Sequence, residues 1–220
     1  MKGDQYYKNF IKNISNKKIF LIQVFANLIL QVFIAFIVLL LAENYNLIHD
    51  KIILIGLVFL IFLLIILMSF VKNTIIRFIL FCIFSSLVGL MLSYKMDKNN
   101  IEQAEISKKA FITTICIFIF MVFYSFFLIY FGIKIPYLVG IALFIILLLI
   151  IIFMFIVSIT GKYPFYHKAI SGAIILLFSI FIGYDTITIM DRDYTGDFVA
   201  ASLDYFIDLL NIFSSAKNIM

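Results

Sequence analysis

Six stretches of about twenty apolar residues, separated by short polar breaks, dominate this chain. They are Ile19–Ala42, Ile52–Val71, Ile75–Tyr94, Ala110–Phe131, Tyr137–Ile159 and Ala169–Met190. About 20 such residues cross the ~30 Å hydrocarbon core of a bilayer as a helix. Inside lipid every backbone N–H and C=O must be satisfied within the segment, which a helix does and an open strand does not. Composition closes the soluble alternative. Hydrophobic residues are 65% of the chain and charged residues 13%, about half the ~25% usual for soluble domains. A seventh run, Phe198–Ala216, is long enough to span but carries two aspartates. The pattern predicts an all-α polytopic membrane protein. Six transmembrane helices accompany a seventh, acidic C-terminal helix that is central or re-entrant.

Short connections predict a single transmembrane helical domain over 19–216, with a basic segment at 1–18 and a short tail at 217–220. Residues 1–18 hold Lys2, Lys8, Lys12, Lys17 and Lys18 against Asp4. The positive-inside tendency therefore places this end in the cytosol. The first run is too long for a signal peptide and lacks a small-residue cleavage site, so it is expected to be retained. Alternation then puts Lys72, Arg77, Lys134 and Arg192 inside. Lys51, Lys95, Lys98, Lys108, Lys109, Lys162 and Lys168 fall outside, so the first segment carries most of the orientation signal. Asn13-Ile14-Ser15 is a glycosylation sequon that stays unmodified if this end is cytosolic. The formal net charge of +5 speaks of loop orientation, and no nucleic-acid partner is expected. Cys82 and Cys116 lie inside apolar runs and are expected to be small buried hydrophobes with no disulfide.

A charge near the bilayer centre costs a few kcal/mol, so ionisable groups inside spans mark function. Four stand out: Arg77, Asp185, Asp204 and Asp208. Arg77 opens the third run, where its stem can snorkel to the interface or its cation can pair with a buried carboxylate. Asp185 sits in Gly183-Tyr184-Asp185-Thr186, about 9 Å from the polar boundary at Asp191. In the seventh run Ala201, Asp204, Asp208, Asn211 and Ser215 recur at helical spacing as a small and polar stripe. A membrane-surface helix usually carries Lys or Arg on its polar face. This stripe carries two acids and no base, which favours an enclosed helix with the stripe turned inward. Two carboxylates brought close in a low dielectric cannot both ionise easily, and a proton is shared. A nearby arginine competes with that proton, and grouped acids attract a cation such as Ca²⁺.

These residues also carry a resemblance. Tyr184-Asp185-Thr186 at the end of the sixth span, Asp208-Leu-Leu-Asn211-Ile-Phe213 preceded by Ala201-Ser-Leu203, Ala110-Phe-Ile-Thr113 opening the fourth span, and Arg77 ahead of Gly89-Leu90 resemble the Bax inhibitor-1 family, also called the transmembrane Bax inhibitor motif family. The span pattern extends the resemblance from Ile19 to the C-terminus, with the specific motifs in the last ~40 residues. It implies six helices around a central seventh and a pH-dependent cation leak, chiefly of Ca²⁺. Asp185 and Asp208 would form the paired-aspartate sensor and transiently hold calcium. Arg77 would be the latch cation, with Tyr184, Thr186 and Asn211 in support. The family sits in endoplasmic reticulum or Golgi membranes and restrains apoptosis in eukaryotic and viral members, and sits in the inner membrane in bacterial ones. Ile187 replaces the Gln or His often found after the Tyr-Asp-Thr motif, and a proline common near the end of the third span is absent. Asp204 is an additional acid and a rival to Asp208. With a helix starting at Phe198, Asp204 lies about 9 Å deep, level with Asp185, and Asp208 about 15 Å deep.

No enzyme is expected. His49 and His167 lie in loops outside any H-E-x-x-H motif, and no Gly-rich phosphate loop or G-x-S-G nucleophile motif occurs. No cofactor is expected. The partners are membrane lipid and calcium or other cations. The rival reading is a non-conducting protein that binds host cell-death regulators. A secondary transporter would show inverted halves or broken helices, and neither is visible.

Overall fold

The computed structural model describes residues 2–45, 47–48, 50–94, 100–160, 163–191 and 196–220. His49, Lys95, Lys98, Lys162, Arg192 and the side chains of Lys2, Asp4, Lys8, Asn13 and Lys51 lie outside the described residues, and with them part of the charge pattern read for orientation. Seven α-helices make up the described chain: α1 (Lys2–Tyr45), α2 (Lys51–Phe70), α3 (Thr74–Leu92), α4 (Asn100–Tyr130), α5 (Tyr137–Ile159), α6 (Tyr163–Asp191) and α7 (Phe198–Ile219). Each is long and apolar enough to cross a membrane. Among the described residues there is no strand. The chain is an all-α, seven-helix polytopic membrane protein.

Local chemistry explains the helix ends. Asp50 caps α2, its carboxylate accepting from the Ile52 N–H at 3.0 Å. Asn73 caps α3, its Oδ1 accepting from the N–H groups of Ile75 at 2.9 Å and Ile76 at 3.2 Å. Such caps satisfy donors that have no partner inside the helix. The end of α4 closes on Gly132 at φ 71°. There the Gly132 N–H donates to the Ile129 carbonyl and the Ile133 N–H to that of Leu128. That paired return is a Schellman motif, and its left-handed residue suits glycine.

Three helices outrun their apolar stretches. α1 begins at Lys2, α4 at Asn100 and α6 at Tyr163, where the apolar runs begin at Ile19, Ala110 and Ala169. The bilayer limits the length of apolar sequence but not of helix. The Glu, Gln, Ala and Lys residues ahead of the fourth run are good helix formers in water. α1, with 44 residues, is about 66 Å long, twice the hydrocarbon thickness.

The chain forms two compact units. One comprises Met1–Ile19, Ile106–Tyr194 and Ile207–Met220; the other comprises Phe20–Glu105 and Thr195–Phe206. The first holds α4, α5, α6 and the C-terminal part of α7, with Leu143, Val157, Ile182, Ile189 and Ile212 in its core. The second holds most of α1, then α2, α3 and the start of α7, around Leu39, Met68, Phe81, Phe84 and Val88. Phe206 of α7 meets Phe81 and Phe84 edge-on, with ring centroids 5.4 and 5.8 Å away. Gly89 lets α3 approach α1 closely, since a Cβ there would fall 2.4 Å from the Ala35 carbonyl oxygen. Small residues at such crossings are how helices pack without a hydrophobic driving force. α7 is the most buried span, with 56% of its apolar window buried against 6% for α5.

Candidate functional site

In the first unit α6 carries Tyr184-Asp185-Thr186 two turns before its C-terminal end. Asp185 is half-buried. Its neighbours are held from several sides. The Tyr184 ring lies over α5 where Gly140 has no side chain, and a Cβ at Gly140 would stand 2.5 Å from the Tyr184 Oη. From α4, Ser125 Oγ reaches the Gly183 carbonyl at 3.3 Å and that of Met121 at 2.7 Å. Thr186, buried, returns its Oγ1 to the Ile182 carbonyl at 2.8 Å. Lys17 Nζ of α1 donates to the Ile189 carbonyl at 2.9 Å. A lysine at a helix C-terminus satisfies a free carbonyl and opposes the helix dipole.

The C-terminal part of α7 belongs to the same unit and brings Asp208, which is 4% exposed. Asn211 is half-buried and donates from Nδ2 to the Ile207 carbonyl at 2.8 Å. Ser215 is buried. Asp204 is exposed and falls in the other unit. At 100° per residue its angular position lies between those of Asn211 and Ser215, so its exposure reflects its place along α7 and not its face. The polar stripe therefore turns inward at Ala201, Asp208 and Ser215 but not at Asp204. Asp185 and Asp208 share a compact unit, and Arg77 lies in the other.

In the second unit Arg77, near the start of α3, forms an ion pair with Asp197. The same carboxylate caps α7, its Oδ1 accepting from the Ala200 N–H at 3.0 Å. Arg77 thus pairs with Asp197, an acid that stands outside the apolar runs. Its signal was local, an Asp directly before the seventh apolar run, as N-caps stand. Deeper in this unit lies a polar chain across three helices. Asn27 Nδ2 donates to Ser202 Oγ at 2.5 Å, Gln31 Nε2 to Asn27 Oδ1 at 3.1 Å, and Ser85 Oγ to Gln31 Oε1 at 2.9 Å. All four are buried. A search for charges alone passes over such uncharged groups, although Asn27 and Gln31 share a face at i, i+4 spacing. Glu43, near the end of α1, is 1% exposed.

Cys82 accepts a weak bond from Gln31 Nε2 at 3.4 Å. Cys116 is exposed, which corrects the expectation that both cysteines are buried. It lies on an outward face of α4, and periodicity in an apolar run does not separate lipid-facing from core positions. Among the described residues no group of three or more His, Cys, Asp or Glu side chains is placed to hold a metal ion.

A family model described as inhibitor of apoptosis-promoting Bax1 matches residues 17–220. No curated protein matches the chain.

Proposed function

The chain belongs to the Bax inhibitor family of membrane proteins, and from that premise we propose that it is a pH-sensitive, calcium-permeable leak whose cellular role is to restrain apoptosis. The observation that carries the reading is Asp208. This carboxylate is 4% exposed inside a membrane-length helix and shares a compact unit with half-buried Asp185. Burying acids in a span costs a few kcal/mol and is kept where it serves ion or proton movement. A proton shared between two such carboxylates keeps their like charges from opposing each other. Its loss leaves an anionic group that repels itself and attracts a divalent cation through oxygen ligands. Asp185 and Asp208 are the sensor in this reading and the transient calcium ligands. Tyr184, Thr186 and Asn211 hold their helix turns. Arg77, through Asp197, anchors the start of α7, the helix that bears Asp208. The reading needs no cofactor and no catalytic step. Its setting is the endoplasmic reticulum or Golgi in a eukaryotic or viral context and the inner membrane in a bacterium.

The description of the matched family names inhibition of cell death and not conduction, which favours a second reading, a non-conducting protein that binds host cell-death regulators. Asp208→Asn separates the two. If that variant loses calcium flux in proteoliposomes and no longer protects cells, conduction is the function. Protection that survives the loss of flux supports the binding protein.

A further inference from the structure

We propose that Gly140 is a positioning residue: the gap it leaves on α5 seats the ring of Tyr184, and the seated ring sets the rotation of α6 that aims Asp185. The proposal rests on the reading of Asp185 as part of the sensor. A Cβ at Gly140 would lie 2.5 Å from Tyr184 Oη, 2.6 Å from Cζ and 3.0 Å from Cε1. The ring therefore occupies the volume that any other residue at 140 would fill. The preceding residue faces a different helix. A Cβ at Gly183 would meet Met121 and Ser125 of α4 at 3.4 Å, and the Gly183 carbonyl accepts from Ser125 Oγ. Successive residues of a helix point about 100° apart. With residue 183 turned to α4 and residue 184 to α5, the direction of Asp185 is fixed by two contacts that it does not itself make.

The seat is testable because the atoms in the way belong to a side chain. In Gly140→Ala the Tyr184 ring can move aside, so the protein folds and α6 loses one of its two rotational stops. Gly172, on the same helix, has nothing within 4 Å of an added Cβ, and Gly172→Ala serves as the control. The experiment uses full-length protein with 3-fluorotyrosine at position 184. Fluorine NMR in micelles is paired with calcium flux in proteoliposomes at one fixed pH. Gly140→Ala should move the fluorine resonance and reduce flux severalfold, while Gly172→Ala does neither. A cycle with Tyr184→Leu, run without the label, completes the test. Removing the ring empties the seat, so Gly140→Ala added to Tyr184→Leu should cost little further flux. Contacting residues are non-additive in this way, and independent ones are not. An unmoved resonance in Gly140→Ala overturns the seat. A moved resonance with unchanged flux, or additive losses in the cycle, overturns the positioning role. A wild-type protein without flux defeats the leak reading, and with it the role given to Asp185, while the resonance still reports on the seat.

Discussion

Replacing Asp197 with alanine removes two interactions from opposite oxygens of one carboxylate. Oδ1 caps α7 through the Ala200 N–H at 3.0 Å, a contact worth about 1 kcal/mol. Oδ2 meets Arg77, and the two side chains are 26% and 18% exposed. Fully exposed pairs contribute about 0.2–1 kcal/mol. Breaking a fully buried pair costs about 3–5 kcal/mol. This pair lies between those limits, nearer the buried one, so its loss costs about 1–3 kcal/mol. The Nε of Arg77 is buried with no acceptor among the described residues, which leaves the guanidinium more dependent on Asp197. Asp197→Ala should therefore cost about 2–4 kcal/mol, or a fall of roughly 4–16 °C in apparent melting temperature for a chain of this size. Asp197→Asn keeps a good cap and loses only the charge, so it should recover about 1 kcal/mol of that loss. Circular dichroism melts in detergent, run as a double-mutant cycle with Arg77→Met, read both terms. Equal losses for the alanine and asparagine variants would refute the cap. Strict additivity of Arg77→Met and Asp197→Asn would refute the ion pair.

Gly89→Ala should destabilise by about 1–3 kcal/mol or more, because the added Cβ meets the Ala35 backbone oxygen, which cannot move without parting α1 from α3. Gly56→Ala, with nothing within 4 Å, should be neutral or stabilising by up to about 1 kcal/mol from helix propensity; the same melts compare them. Asn27→Leu should cost about 1–2 kcal/mol by stripping a partner from buried Gln31, measured by detergent unfolding. Removing Asn27, Gln31 and Ser85 together with apolar residues of similar size should cost less than the sum of the single changes. Lys17→Met should loosen the C-terminal end of α6, where its ammonium bonds the Ile189 carbonyl, by about 0.5–1 kcal/mol. Faster amide hydrogen exchange over the last turn of α6 would register it.

All seven helices were legible because the bilayer imposes one length on apolar sequence, and each run has a helix over it. The ends were less legible. The polar residues directly before Ile19 and Ala110 are compatible with a helix, and Pro164 stands in the first turn of α6, where its missing N–H costs nothing, so α1, α4 and α6 begin ahead of their apolar runs. The acids of α6 and α7 were visible because charge in a span is costly. Asp208 is buried and Asp204 is exposed, a distinction that their shared helical face conceals. Asp197 escaped notice for the converse reason. It stands just outside an apolar run, where acids are common; its cap is local, to Ala200, but its ion pair depends on a residue 120 positions earlier. The Asn27–Gln31–Ser85–Ser202 chain required the packing of α1, α3 and α7 to become visible at all.

The central claim is that Asp185 and Asp208 make a calcium leak respond to protons. Calcium flux from proteoliposomes, scanned from about pH 5 to 8, tests it directly on the wild type beside Asp185→Asn, Asp208→Asn and Asp204→Asn. The account predicts a pH-dependent flux in the wild type that is lost in the first two variants and keeps its profile in the third. A profile unchanged in Asp185→Asn and Asp208→Asn, or no flux at any pH from folded protein, would contradict it.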